Sequence, residues 1–322
     1  MDHGHVARSA PVAATTAAPE RRIGRTLLVV AVVLALPLAT ALAAAWVTAP
    51  HLGDPEALVR ARVASLGGTA VPLDAIAPVM QRAVVAGEDE RFYRHHGIDL
   101  LGVARAGAYD LGHFSLTQGG STITEQLAKD LYLNGDDRSP IRKVQAAILA
   151  VELESRLSKQ QILDDYLNSV YFGSGATGID AASRRYFGVP PSQLDLAQAS
   201  LLAGLIRAPN TADPYVDAAA SRGRQGTVLR GMVSVGAANA AQAREAMDTP
   251  IPLVAGSPIP GRPDVAVVPS AAVSVWLLAL GAALVAAGAV TVLRRPAATL
   301  RLAGWLAVTA GVFLALRSVR GS

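Results

Sequence analysis

The sequence predicts a mainly α fold, a helical domain accompanied by transmembrane helices, and three observations carry that expectation. Period-two alternation is scarce between residues 71 and 250, where apolar residues recur at helical spacing instead. Helix-start signatures recur in the same stretch: Ser139-Pro140 joins a cap to a first-turn proline, and Ser158-Lys159-Gln160-Gln161 has the form of a capping box. Outside it, 26–48 and 265–293 run without a single charge, each long enough to cross a hydrocarbon core.

Taken in order, 1–25 is a polar tail rich in Ala and Pro that ends in Arg21-Arg22-Ile23-Gly24-Arg25. Its composition predicts disorder. The span at 26–48 follows these arginines, so the N-terminus is expected in the cytoplasm and the middle domain outside. Ala41-Leu42-Ala43 also fits a signal-peptidase site, but the length of the apolar run favours an uncleaved anchor. A linker is expected over 49–70. The domain is expected over 71–250. In it, Asp74 is the expected cap of a helix through Ala86. Further helices are expected over 99–111, from Thr122 or Thr124 to Leu133, and from Pro140 to about Leu157. Ile141, Val144, Ile148 and Val151 share one face of the last of these. Helices over 158–170, 179–186 and 195–206 follow, with 222–235 and 240–247 expected at the surface. A second linker is expected over 251–264. After the span at 265–293, Arg294-Arg295 suits a cytoplasmic loop. A shorter third span at 299–316 needs Arg301 and Arg317 to snorkel.

At 322 residues and net charge +4 the chain has room for one or two domains. It has no cysteine, which excludes disulfides, thiolate zinc sites and a thiol nucleophile. Lys129, Lys143 and Lys159 are its only lysines, so arginine supplies nearly all the positive charge. Arginine suits bidentate phosphate and carboxylate binding, and a GC-rich coding bias explains the same preference.

The chemistry concentrates between 84 and 126. Ala86-Gly87-Glu88-Asp89-Glu90-Arg91-Phe92-Tyr93-Arg94-His95-His96-Gly97 gathers acids, aromatics and histidines. Read as helix, Glu88, Phe92 and His95 share a face at i, i+4 and i+7, setting a carboxylate beside an aromatic wall. That is a setting for general acid–base work. Gly119-Gly120-Ser121-Thr122 opens a loop whose backbone N–H groups would face an anion. Each segment has a plain structural reading, as a solvated helix face and as a turn.

Five motifs, taken together and in order, resemble the family 51 glycosyltransferases, the peptidoglycan polymerase domains of class A penicillin-binding proteins and monofunctional transglycosylases. They are Glu88-Asp89-x-x-Phe92-Tyr93-x-His95-x-Gly97; Gly119-Gly120-Ser121-Thr122-Ile123-Thr124-x-Gln126-x-x-Lys129; Arg142-Lys143 running to Glu154; Lys159-x-x-Ile162-Leu163-x-x-Tyr166-Leu167-Asn168-x-x-Tyr171-Phe172-Gly173; and Leu201-Leu202-Ala203-Gly204-Leu205-x-x-Ala208-Pro209. The resemblance runs from about Val71 to Met247. It implies a lysozyme-like helical fold and polymerisation of lipid II onto a lipid-linked glycan strand, with inversion. Carried over residue by residue, Glu88 is the general base, supported by Asp89, Phe92 and His95. Ser121, Thr122 and Gln126 correspond to sugar and pyrophosphate contacts. Lys129 and Arg138, then Arg142 and Lys143, correspond to cations on the donor pyrophosphate, and Arg105 to a residue near the cleft. The family implies a divalent cation, Mg or Mn, yet nothing here has the spacing of a dedicated metal site. His95 and His96 are expected to be structural. Tyr166 and the fifth motif are expected to serve packing.

The sequence departs from the family at Ala146, where the third motif carries a second essential Glu, and at Glu125 and Gln198, where Gln and Glu are common. Three consequences stand side by side: activity is lost and a lipid II-binding scaffold remains; Glu125 or Glu152 substitutes; or Glu88 and the cations suffice at a rate lower by ~10²–10³. No Ser stands three residues before any Lys, the positions being Gln126, Pro140 and Arg156, so no Ser-x-x-Lys transpeptidase motif is present. A monofunctional enzyme at the cell membrane is therefore expected, its domain on the extracytoplasmic side. Its expected partners are lipid-linked substrate, the bilayer and membrane proteins of cell-wall synthesis, without nucleic acid. A lysozyme-like hydrolase remains the third reading.

Overall fold

The computed structural model describes residues 45–66, 68–105, 120–133 and 140–256, with isolated positions at 35, 39, 42, 43 and 259. The chain divides into two compact units, 1–47 with 273–322, and 48–272. Nearly all of the first unit, the spans expected at 265–293 and 299–316, and most of that at 26–48 lie outside the described residues. Among the described residues no helix is long and apolar enough to cross a membrane.

The second unit is helical, as expected. Its elements are α1 (Pro55–Ser65), α2 (Pro78–Glu88), α3 (Ile123–Tyr132), α4 (Pro140–Arg156), α5 (Lys159–Ser169), α6 (Ile179–Phe187), α7 (Leu196–Leu205), α8 (Ala218–Ser234) and α9 (Ala240–Asp248). A two-stranded antiparallel hairpin, β1 (Tyr171–Gly173) and β2 (Ala176–Thr177), interrupts the helices. Tyr171, Phe172 and Gly173 are thus strand, not the helix end that the all-helical reading expected. The stretch expected as a linker carries α1, which Asp54 caps and which packs on α5 and α3.

Local signals placed several helices well. Thr122, Ser158, Asp195 and Asn239 cap α3, α5, α7 and α9, each in a full capping box. Each box satisfies two backbone donors that would otherwise be orphaned. Asp74 does not cap α2. It sits in a 3₁₀ turn, and α2 starts at Pro78 behind Ala77 with no side-chain cap. The face of α4 also differs from expectation. Ile141 and Val151 are exposed, while Gln145, Ala146, Leu149, Ala150 and Leu153 are buried. The small residues let α4 lie close against α3, and close packing outweighs the bulkier stripe.

Two helix groups make up the core. In one, α8 packs on both α7 and α2, and α7 packs on α2. This makes α8 an inner helix, with Gln225, Val228, Leu229 and Met232 buried, rather than the surface helix expected. Gly231 permits it: a Cβ there would lie 2.8 Å from the Ala86 carbonyl oxygen. In the other group, α3 packs on α4 and α5. The C-terminus of α2 meets α3 between the groups, and the chemistry lies there.

Candidate active site

The helix α2 stops at Glu88, so the continuous helical face expected for Glu88, Phe92 and His95 does not exist. Asp89 leaves the helical region (φ −156°, ψ 79°), Phe92–Arg94 is a 3₁₀ turn, and His95 is extended. The cause is tertiary. The Asp89 carboxylate accepts the Ile123 backbone N–H at 3.1 Å and lies 2.9 Å from His95 Nε2. A carboxylate at the first turn of α3 also meets the positive end of that helix. Together these contacts pull the chain out of helical register.

Glu88 is left at the surface of a cleft of about 590 Å³, lined also by Asp89, Arg105, Ser121, Thr122, Arg207 and Arg230. Its side chain is only 2 % exposed. Gln126 Nε2 donates to Oε2 at 2.8 Å, and Arg207 Nε donates to Oε1 at 3.2 Å. Burial pushes the carboxyl up from its ordinary range, and Arg207, Gln126 and Arg224 pull it part of the way back. Gln126 is itself oriented, because the Tyr166 hydroxyl donates to its Oε1 at 2.9 Å. Tyr166, expected to serve packing alone, thus holds the amide that holds the acid.

Five of the candidate residues therefore meet in one cleft: Glu88, Asp89, Arg105, Ser121 and Thr122. Others serve from behind it. Phe92 is fully buried, edge-on to Tyr93 and His95, with Lys159 Nζ 4.4 Å from its ring centre. It is not the wall beside Glu88 that helical spacing predicted. Lys159 also reaches Glu154 Oε1 at 2.6 Å, and the same oxygen accepts from Thr124. His95 Nδ1 lies 3.9 Å from the same Glu154 oxygen, too far for a hydrogen bond, while His95 Nε2 holds Asp89 at 2.9 Å. Lys129 is exposed at the end of α3, 4.0 Å from Asp130, and Lys143 is exposed on α4. These two and Arg142 are not among the residues lining the cleft; Arg138 lies outside the described residues.

The expected backbone cradle also differs. The Thr122 N–H donates to Glu125 Oε2 and the Ile123 N–H to Asp89, so both are spent on the protein. What the loop offers the cleft is Gly120, Ser121 and Thr122. Ala146 is buried. Neither proposed substitute is unengaged: Glu152 pairs with Arg156 at 2.7 Å, and Glu125 closes the capping box of α3. Among the described residues no group of three or more His, Asp or Glu side chains would hold a metal ion. The residue missed by the sequence reading is Arg207. It is the only charge between Leu196 and Ala208, and that isolation is the signal that could have found it.

Comparison with known proteins agrees with the motifs. The transglycosylase family model matches residues 57–233. Penicillin-binding protein 2D of Bacillus subtilis is 45 % identical over 162 residues, covering 50 % of this chain and 23 % of that protein. A Cupriavidus necator protein named as a transglycosylase is 43 % identical over 166 residues, covering 52 % of this chain and 71 % of its own length. Penicillin-binding protein 1A of Escherichia coli is 41 % identical over 166 residues, covering 52 % and 19 %. The chain thus spans about a fifth of the two penicillin-binding proteins. A crystal structure of penicillin-binding protein 1A from Haemophilus influenzae aligns with a TM-score of 0.36 and 20 % identity, over 58 % of this chain and 18 % of that one. With the family model covering more than half of its length and those relatives above 40 % identity, this chain belongs to the transglycosylase family.

Proposed function

We propose that the protein is a membrane-anchored peptidoglycan glycosyltransferase with a lysozyme-like catalytic domain outside the bilayer, and that Glu88 is its base. The substrates are lipid II and a glycan strand carried on undecaprenyl pyrophosphate. The acceptor 4-hydroxyl attacks the anomeric carbon of the donor, and Glu88 takes the hydroxyl proton as the new C–O bond forms. The anomeric C–O bond to phosphate breaks, and the electron pair leaves with the pyrophosphate. Cations near the leaving oxygens would stabilise charge that grows in the transition state. Arg105 is the candidate within the cleft; Lys129, Arg142 and Lys143, which do not line it, and Arg138 would have to meet the donor's pyrophosphate beyond the cleft.

One observation carries this reading: a carboxylate almost wholly buried yet facing a cleft, held by an amide and a guanidinium. A base must be ionised to work; burial disfavours the charged form, and these two donors oppose that.

Ala146 favours a second reading, a binding protein of cell-wall synthesis with little turnover. Glu125 and Glu152, the two side chains weighed as stand-ins for the carboxylate that the family carries at that position, are engaged elsewhere. The test is polymerisation of labelled lipid II by the full chain in detergent, resolved on gels, for wild type and Ala146→Glu. Slow glycan formation by wild type, raised ~10²-fold by Ala146→Glu, supports an enzyme impaired at one position. Lipid II binding with no glycan from either form supports the scaffold. Release of muropeptides from sacculi would instead identify a hydrolase.

A further inference from the structure

Glu88 has two oxygens, and different elements hold them. Oε1 receives Arg207 Nε from the segment after α7. Oε2 receives Gln126 Nε2 from α3, and that amide is fixed by the Tyr166 hydroxyl from α5. Arg207 Nη2 also lies 3.4 Å from the Glu88 carbonyl oxygen, so one guanidinium holds both the side chain and the backbone at the end of α2. The pair is asymmetric: Glu88 is 2 % exposed and the Arg207 side chain 42 %. The acid therefore bears most of the desolvation while the cation keeps much of its hydration. The ionised Glu88 carboxylate can only accept, so it takes the Gln126 N–H and turns the Gln126 oxygen toward the fully buried Tyr166 hydroxyl, whose donated proton braces that direction.

We propose that Arg207 and the Tyr166–Gln126 pair are positioning residues that grip separate oxygens of Glu88 and keep its carboxylate charged and aimed into the cleft. The proposal rests on the reading of Glu88 as the base, and it adds what sets the pH at which that base is loaded. Among the described residues no other cation bonds the Glu88 carboxylate, Arg105 of the same cleft included. Arg224 on α8 acts only through space and ranks below Arg207 and Gln126 among the groups lowering the carboxyl. Arg230 lines the cleft, and its guanidinium bonds Thr227. On the segment of Glu88 itself, Arg91 lies 3.4 Å from Asp99, Asp89 is held by His95 and the Ile123 N–H, and Glu90 is a like charge.

The experiment compares wild type, Arg207→Gln, Arg207→Lys and Tyr166→Phe as full-length chains in nanodiscs, with ¹³C at the Glu carboxyls. Glu88→Gln identifies the Glu88 resonance. Removing a cation within hydrogen-bond reach should raise the Glu88 midpoint by about one pH unit or more in Arg207→Gln. A smaller rise is expected in Arg207→Lys, where the charge stays but the Nε bond goes, and in Tyr166→Phe. The acid limb of lipid II polymerisation should move by the same amount, so that Arg207→Gln is about tenfold slower below the midpoint and recovers at alkaline pH. A Glu88 titration unmoved by Arg207→Gln overturns the proposal while leaving the base assignment standing. A titration that moves while the rate profile does not supports the clamp and defeats the base assignment instead. Should Arg207→Gln fail to fold, Arg207→Lys decides: a raised midpoint supports the clamp, and an unchanged one overturns it.

Discussion

Replacing Asp165 by Asn should stabilise the domain, and only above acid pH. Asp165 is buried on α5, and its Oδ2 has no hydrogen-bond partner among the described residues. Burial pushes its carboxyl up to about 7, with Asp164, Glu56 and Asp54 adding to the rise and Arg60 opposing it. Asp164 beside it is pushed up to about 6, again chiefly by burial. In the unfolded chain Asp165 ionises near 3.8. Between 3.8 and about 7 the folded state holds a proton that the unfolded state has lost, so stability falls as pH rises through that window. A gap of about three pH units at ~1.4 kcal/mol each sets a ceiling of about 4 kcal/mol. Partial solvent access and the linked titration of Asp164 reduce this, and about 2 kcal/mol is expected at pH 8. For a domain of this size that corresponds to a rise in Tm of about 4–8 °C. Thermal unfolding followed by circular dichroism at pH 4 and pH 8 measures it. The gain should be present at pH 8 and nearly absent at pH 4. An equal gain at both, or a loss at pH 8, would refute the reasoning.

Two further substitutions probe the frame of the cleft. Lys159→Met leaves the buried Glu154 without its cation and Phe92 without its stacked ammonium, and should cost about 3 kcal/mol in denaturant unfolding. Adding Glu154→Leu should restore at least half of that loss; no recovery would mean that the pair is not the source. Gly231→Ala drives a Cβ against the Ala86 carbonyl oxygen, so α8 and the last turn of α2 must separate. A loss of about 1–3 kcal/mol is expected, and an unchanged unfolding midpoint would contradict the close approach of these helices.

The caps were legible because they are local: Thr122 and Glu125, or Ser158 and Gln161, are three residues apart and need no partner elsewhere. Asp89 was not, because the donors that draw it out of the helix include the Ile123 N–H, thirty-four residues away. The buried face of α4 was misjudged because Ala146, Ala150 and Gln145 carry little hydrophobic signal, yet their small or hydrogen-bonded side chains permit close packing. Residue types pointed to Glu88, which the structure places at the cleft, but not to what holds it. Arg207 and Tyr166 lie 119 residues beyond Glu88 and 40 residues beyond Gln126 respectively. Only the isolation of Arg207 in an apolar run pointed to it.

The central claim is that Glu88 removes the proton of the acceptor sugar. Its most direct measurement is the rate of lipid II polymerisation by Glu88→Gln in the Ala146→Glu background, where the family's second carboxylate is restored and turnover is large enough to lose. A fall of at least ~10² with lipid II binding retained is the predicted result. Polymerisation within a few-fold of the Ala146→Glu parent would contradict it.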